Sequence, residues 1–368
     1  MNKIFFSITG FICAVTFLSQ EDTLLANDDP WLLFRHAKHV VAGEVTEVLQ
    51  EERDLLFHLT ADTPGNLLSG SSVNWWREPE GAGTEGIGAQ TGTRGAWLVA
   101  AESDDLYPVH VATLLPRGFL RMNDFSQVDD LRLLLKKEPQ YSAALRLIES
   151  PDRDVRRVAI GWWSRSDLEV TPDQQQFLEK NFSVEIDPAC QRSYLNLYLT
   201  RDWVFENAGI AELIPHSPDG TVSWMTLRYL EKSGNARQKA RLISSWLSSD
   251  SAGKTKLAIA FRNLKMREAH PWLIQEISQS RGELRLQCIE TLAATGDSKS
   301  EIVIQSLLKS TCGHTQEAVL KGLAKSNSMR GFEIFRQKLQ EMENLDPLYE
   351  KARSLKSAPI GVNSRSGK

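Results

Sequence analysis

His36 and His39, three positions apart in the stretch HAKH, are the residues whose type and spacing come nearest to chemistry. On a helix that spacing sets both imidazoles on one face, an arrangement that binds a divalent metal when further ligands join it. Two histidines make half a site, and no carboxylate or cysteine stands beside them at a diagnostic spacing. His58 and His110 lie in the same region and could converge on them. Solvated or capping roles for His36 and His39 are expected. A metal-dependent enzyme built on them and a further histidine is kept as a third functional reading.

Other motifs carry less. GAGTEG, Gly81 to Gly86, has the Gly-x-Gly-x-x-Gly form, which binds a dinucleotide only between a strand and a helix whose amino end faces the pyrophosphate. The following TGTRGAWLVAA reads as strand, so a hairpin loop is expected. AGKTK, Ala252 to Lys256, has the tail of a phosphate loop, but Ser248 stands where that loop needs glycine, and an ordinary helix start is expected. Ser71 and Ser72 sit in no nucleophile elbow. The acidic pairs Asp104-Asp105 and Asp129-Asp130 suit a turn and a helix start, where carboxylates meet backbone amides. No catalytic, cofactor-binding or metal-ligating residue is assigned, and a non-enzymatic class is expected.

The aromatics are more informative. Trp75 and Trp76 are adjacent on a predicted strand, so one ring must point inward and its neighbour outward. An outward tryptophan stacks on a sugar, anchors a protein partner, or packs where two domains meet. Trp75, Trp76, His36 and His39 are the candidate partner-binding residues.

These residues fall in a region, 29–122, that reads as a β domain. After the short helical lead-in DPWLLFRHAKH come five strand candidates: Val40 to Gln50, Asp54 to Asp62, Ser71 to Glu78, Gly95 to Ser103 and Tyr107 to Leu115. Turns with Pro64-Gly65, Gly81 to Gly88 and Asp104-Asp105 separate them. No helix-length segment connects the strands, so a small antiparallel barrel is expected rather than a parallel sheet.

Across 128–355 apolar residues instead recur at three and four, the helical period. With Val155, Ala159 and Trp163 taken as first, fifth and ninth positions, five further triplets follow. They are Ala189/Ser193/Leu197, Val222/Thr226/Leu230, Lys256/Ala260/Leu264, Leu284/Cys288/Leu292 and Thr315/Val319/Leu323. Successive first positions step by 34, 33, 34, 28 and 31 residues, within the window for helical repeats. A helix pair cannot bury its apolar stripe alone, so each copy leans on the next. The predicted fold class is α+β multidomain: a small barrel followed by an α-solenoid of helix pairs.

Two resemblances accompany this pattern. DVRRVAIGWW, ELRLQCIETLAATGD and TQEAVLKGLAKSNS resemble the second helices of HEAT-like repeats, in which acid-x-valine-arginine-x-x-alanine precedes a leucine and a short turn. The likeness covers roughly Val128 to Leu345, and of the six copies those beginning at 155 and 284 carry the arginine, as Arg156 and Arg285. AKHVVAGEVTEV, a strand pair and TGTRGAWLVA look like the OB-type barrel of netrin and metalloproteinase-inhibitor modules, in the variety found on exported bacterial proteins. Members that block metalloproteases use an amino-terminal cysteine that this chain lacks there, so inhibition is not implied.

Composition sets the outer bounds. The 368 residues are 41% hydrophobic and 24% charged with a net charge of −4, which supplies no basic field for nucleic acid. Lys3 followed by the uncharged run Ile4 to Leu18, with Ala26 at a cleavage position, reads as a signal peptide over 1–26, with a retained membrane anchor as the alternative that so short a run disfavours. The expected location is periplasm, cell envelope or outside the cell, with no stable membrane span in the mature chain. Cys190, Cys288 and Cys312 are too few and too odd in number for a disulfide framework; Cys288 and Cys312 could pair if their helix and loop are adjacent, but buried free thiols are expected. The tail 356–368 has little to bury and is expected to be disordered. The favoured function is a binding scaffold for a protein partner, without cofactor. A carbohydrate- or peptidoglycan-binding module is the alternative.

Overall fold

The computed structural model describes residues 30–37, 39–51, 54–61, 75–78, 92–101, 111–122, 125–326, 328–342, 349 and 352–355. The predicted signal segment, the Gly81 to Gly86 motif, Ser71, Ser72, Asp104, Asp105, His110 and the tail 356–368 lie outside them. The chain divides into two compact units, Met1–Trp203 and Val204–Lys368. It is mostly helical, with a small sheet in the first unit.

In that unit a short helix α1 (Pro30–Phe34) leads into β1 (His39–Glu51), β2 (Asp54–Ala61), β3 (Trp75–Glu78), β4 (Arg94–Ala101) and β5 (Val111–Arg121). The strand order is β1-β2-β3-β5-β4, and β4 also pairs with β1. All pairings are antiparallel except that of β3 with β5, which is parallel and departs from the purely antiparallel expectation. Gly43 is opposite both Ala61 and Gly95, just before a register shift in β1 between Val45 and Glu47. An extra residue in one strand there bends the ribbon. β5 runs later than the predicted Tyr107 to Leu115. Its ladder with β4 breaks between Phe119 and Leu114, the stretch holding Pro116 and Gly118. Proline offers no amide to a ladder and glycine adds little to a flat one, so the strand passes through them as an irregularity.

Helices α2 (Val128–Leu134), α3 (Tyr141–Ile148), α4 (Arg153–Trp162), α5 (Pro172–Val184) and α6 (Pro188–Arg201) complete the unit. Their starts are written in the turns. Thr171 and Gln174 form a reciprocal capping box at α5, and Asp187 accepts from the amides of Ala189 and Cys190 at α6, each followed by proline at the first helical position. Asp129 and Asp130 stand in the first turn of α2, as expected. Helix α4 packs between α3 and α6, and α1 lies against α4 and β5. Gly161 permits that approach, since a β-carbon there would sit 2.2 Å from the Trp31 side chain. Arg132 ties α2 to the sheet by donating to the Val40 carbonyl at 3.1 Å.

The second unit contains α7 (Leu213–His216), α8 (Gly220–Ser233), α9 (Ala236–Ser248), α10 (Ser251–Asn263), α11 (His270–Gln279), α12 (Gly282–Thr295), α13 (Ser298–Leu308), α14 (Gly313–Ala324) and α15 (Met329–Glu341). Alternate helices stack, α10 on α12 and α12 on α14, with α11 and α13 packed against α12 and α15 against α14. At the amino end the pattern loosens. There α9 packs on the 3-10 turn Ala208–Glu212, and α10 packs chiefly on α7 rather than α8. All six triplets marked in the sequence lie on or at the end of helices, α4, α6, α8, α10, α12 and α14. Their members are buried except for Ala189, Lys256 and Leu264, which are half-buried. Trp162 and Trp163 are both fully buried, their rings edge to face at 5.3 Å.

Candidate functional site

The helix predicted to carry both His36 and His39 ends at Phe34, because the amides of His36 and Ala37 close on the Leu33 and Phe34 carbonyls. His36 is exposed in that turn, and its Nε2 accepts from Arg35 Nε at 3.2 Å. His39 opens β1 opposite Val99, drawn into strand by the β-branched pair Val40-Val41 that follows. The shared helical face is corrected to two separate elements. His58 stands opposite Glu47 in the β1–β2 register. Among the described residues, no three histidine, cysteine or carboxylate side chains converge as metal ligands. Trp75 and Trp76 occupy neighbouring registers of β3, opposite Val111 and Ala112 of β5.

AGKTK lies in the first half of α10, where Asp250 accepts from the Gly253 amide at 2.7 Å. A carboxylate thus fills the place a phosphate would take. Lys254 pairs with Glu276 at 2.8 Å and Lys256 donates to the Ser217 carbonyl at 2.7 Å, so both ammonium groups are committed within the fold.

The two arginines of the repeated pattern act as ties between successive helices. Arg156 donates back to the carbonyls of Ser150 and Pro151 at 2.9 and 3.0 Å and forward to Glu185 at 2.9 Å. Arg285 donates back to the Ile277 carbonyl at 3.1 Å and forward to Thr315 Oγ1 at 2.9 Å. Glu290, 6% exposed, ties the stack further, paired with Arg262 of α10 and with Lys325 after α14 at 2.6 Å. A guanidinium has enough fixed donors to serve both neighbours at once, which suits it to a position between successive helices.

One grouping has the residue types of a hydrolytic triad. His270 Nε2 is 2.9 Å from Thr295 Oγ1, and Asp297 Oδ1 is 3.7 Å from the other ring nitrogen. The Thr295 hydroxyl donates to its own helix, to the Thr291 carbonyl at 2.8 Å, and the threonine is buried. A nucleophile needs an exposed oxygen whose proton goes to the base. Here the proton goes to backbone, so the three residues join helix ends.

The thiols sort by burial. Burial pushes Cys190 and Cys288 up to about 12, while hydrogen bonds from the backbone and side chain of Thr315 hold the exposed Cys312 below the usual thiol range. All three are unpaired, and Cys312 departs from the expected burial because it stands exposed just before α14.

Among the large apolar side chains left exposed at the surface is a tryptophan. Trp224 on α8 is 48% exposed, and the Arg228 guanidinium lies 5.3 Å from its ring centroid. Val222, Thr226 and Leu230 bury the opposite side of this helix. A residue two places from a buried position is turned by about 200° on a helix, so the stripe itself placed Trp224 outward. Tryptophan and arginine are both enriched among the residues that dominate protein interfaces, and here both are accessible.

No described helix is long and apolar enough to cross a membrane. Comparisons with protein-family models, curated proteins and solved structures yield no match to the chain.

Proposed function

We propose that the chain is an exported, non-catalytic binding scaffold whose helical part, an α-solenoid of HEAT-like pairs, presents a surface to a protein partner. The run Ile4 to Leu18 supports export. The α10, α12 and α14 stack, tied by Arg285 and Glu290, supports the solenoid reading, because such packing extends by repetition and leaves long faces open. The observation that carries the binding role is Trp224, held half-exposed beside Arg228 on the open face of α8. Capture from an envelope extract by the chain lacking residues 1–26 tests it. A partner retained by the wild type and lost with Trp224→Ala supports the reading. Capture indifferent to Trp224 removes it.

A second reading rests on the sheet. The order β1-β2-β3-β5-β4, the return of β4 to β1 and the parallel β3–β5 pairing support an OB-type barrel. Such barrels take oligosaccharides on the side formed by strands 2 and 3. Trp75 and Trp76 stand on β3. Titration of the chain with soluble envelope glycans, repeated with Trp75→Ala and Trp76→Ala, separates this reading from the first. Glycan binding that either tryptophan abolishes, with Trp224→Ala inert, favours the barrel.

A further inference from the structure

His270 opens α11 with its side chain 7% exposed, against the end of α12 and the turn into α13. Because the Thr295 hydroxyl donates to Thr291, Nε2 carries the imidazole hydrogen and donates to Thr295. Nδ1 is left as a buried lone pair without a hydrogen-bond partner, 3.7 Å from Asp297 Oδ1. That oxygen is already engaged. It accepts from the Ser300 amide at 3.0 Å and from Ser300 Oγ at 3.1 Å, while the Asp297 amide donates to Ser300 Oγ at 2.8 Å. This reciprocal box holds the start of α13.

We propose that the junction of α11, α12 and α13 is an acid-sensitive latch, closed while His270 is neutral and loosened when its buried ring takes up a second proton. The new proton appears on Nδ1, directed at Asp297. To accept it, Asp297 Oδ1 must close by about 1 Å and loosen its hold on Ser300, so pairing with the ring weakens the cap of α13. Burial decides the direction. It is the largest influence and pushes His270 below the ordinary histidine range, against the opposing pull of the Asp297 carboxylate; Arg267 acts with burial and Glu268 against it. Those three charged groups face the ring from the turn into α13 and from the turn before α11, and α12 meets it with the uncharged Thr295.

The folded chain therefore binds this proton less readily than the unfolded chain. The stability that neutral His270 supports is full above about pH 6.5, the ordinary value, and is lost as pH falls toward the lowered folded value. Across that window the folding constant drops by up to about tenfold per pH unit from this residue alone.

Urea unfolding of the full chain at neutral and mildly acidic pH tests the latch, with wild type, His270→Gln and Asp297→Asn compared. Glutamine keeps a donor toward Thr295 and cannot take up a proton. The wild type is expected to lose severalfold more of its folding constant on acidification than His270→Gln, with the protection of the Ser300 amide, taken relative to its intrinsic exchange rate at each pH, falling in acid in the wild type alone. Asp297→Asn keeps an oxygen for the Ser300 amide and removes the charge that favours the imidazolium. It is expected to fold at neutral pH, with the His270 ring titrating lower still by proton NMR. Equal acid sensitivity of wild type and His270→Gln, a ring titrating at or above the ordinary value, or an unmoved Ser300 amide each overturns the proposal. Should His270→Gln not fold, the ring titration in wild type and Asp297→Asn decides alone.

Discussion

At the scale of single residues, burial and close approach decide what each group can do. Gly322 on α14 lies where a β-carbon would sit 2.3 Å from the Glu290 carbonyl oxygen and 2.6 Å from Ala293 Cβ. Backbone cannot yield as a side chain can, so Gly322→Val should cost about 1–3 kcal/mol or more by wedging α14 off α12, read as a lower urea midpoint. The thiols give a second test. A thiol-reactive dye should label Cys312 rapidly at neutral pH and leave Cys190 and Cys288 unlabelled until the fold is lost, because the thiolate is the reactive form. Cys312→Ser should abolish the rapid phase from the described part of the chain, and rapid labelling that persists would contradict the assignment. Trp224 was readable in principle from its place two residues off a buried stripe. His36 and His39 were misread because spacing alone does not tell a helix from a turn followed by a strand.

At the scale of elements, the helices were legible because their signals are local. On six of the helices a mostly buried triplet repeats at four residues, and the caps at Thr171, Asp187, Asp219, Asn235, Asp250 and Ser328 stand immediately before their helices. The β elements were legible in number and approximate place, while their partners were not. The parallel β3–β5 pairing and the displaced β5 depend on contacts between distant segments, which no local period encodes. The arginine of the repeated pattern was legible as a motif, and its role appears only with both neighbours in place. Arg285→Met keeps the stem's apolar packing and removes the donors to Ile277 and Thr315. It should cost about 1–3 kcal/mol and speed amide exchange at the end of α11 and the start of α14, with α15 unaffected. Uniform change along the unit would mean that the arginine is not a local tie.

At the scale of the whole molecule, a sheet joined to six helices and a run of stacked helices are two kinds of surface in one chain. In the second unit the grouping of His270, Thr295 and Asp297 has the residue types of a triad and spends its hydroxyl on backbone. What the helical unit does offer is an accessible tryptophan stacked with arginine, on a helix otherwise secured from behind. The most direct measurement places a photo-crosslinking residue at Glu231, on the exposed side of α8 beyond Arg228, and irradiates the chain lacking residues 1–26 in an envelope extract. A single discrete adduct that disappears when Trp224→Ala is added is the result expected of a scaffold that docks a protein through this face. No adduct from position 231, or one that survives Trp224→Ala unchanged, would contradict it.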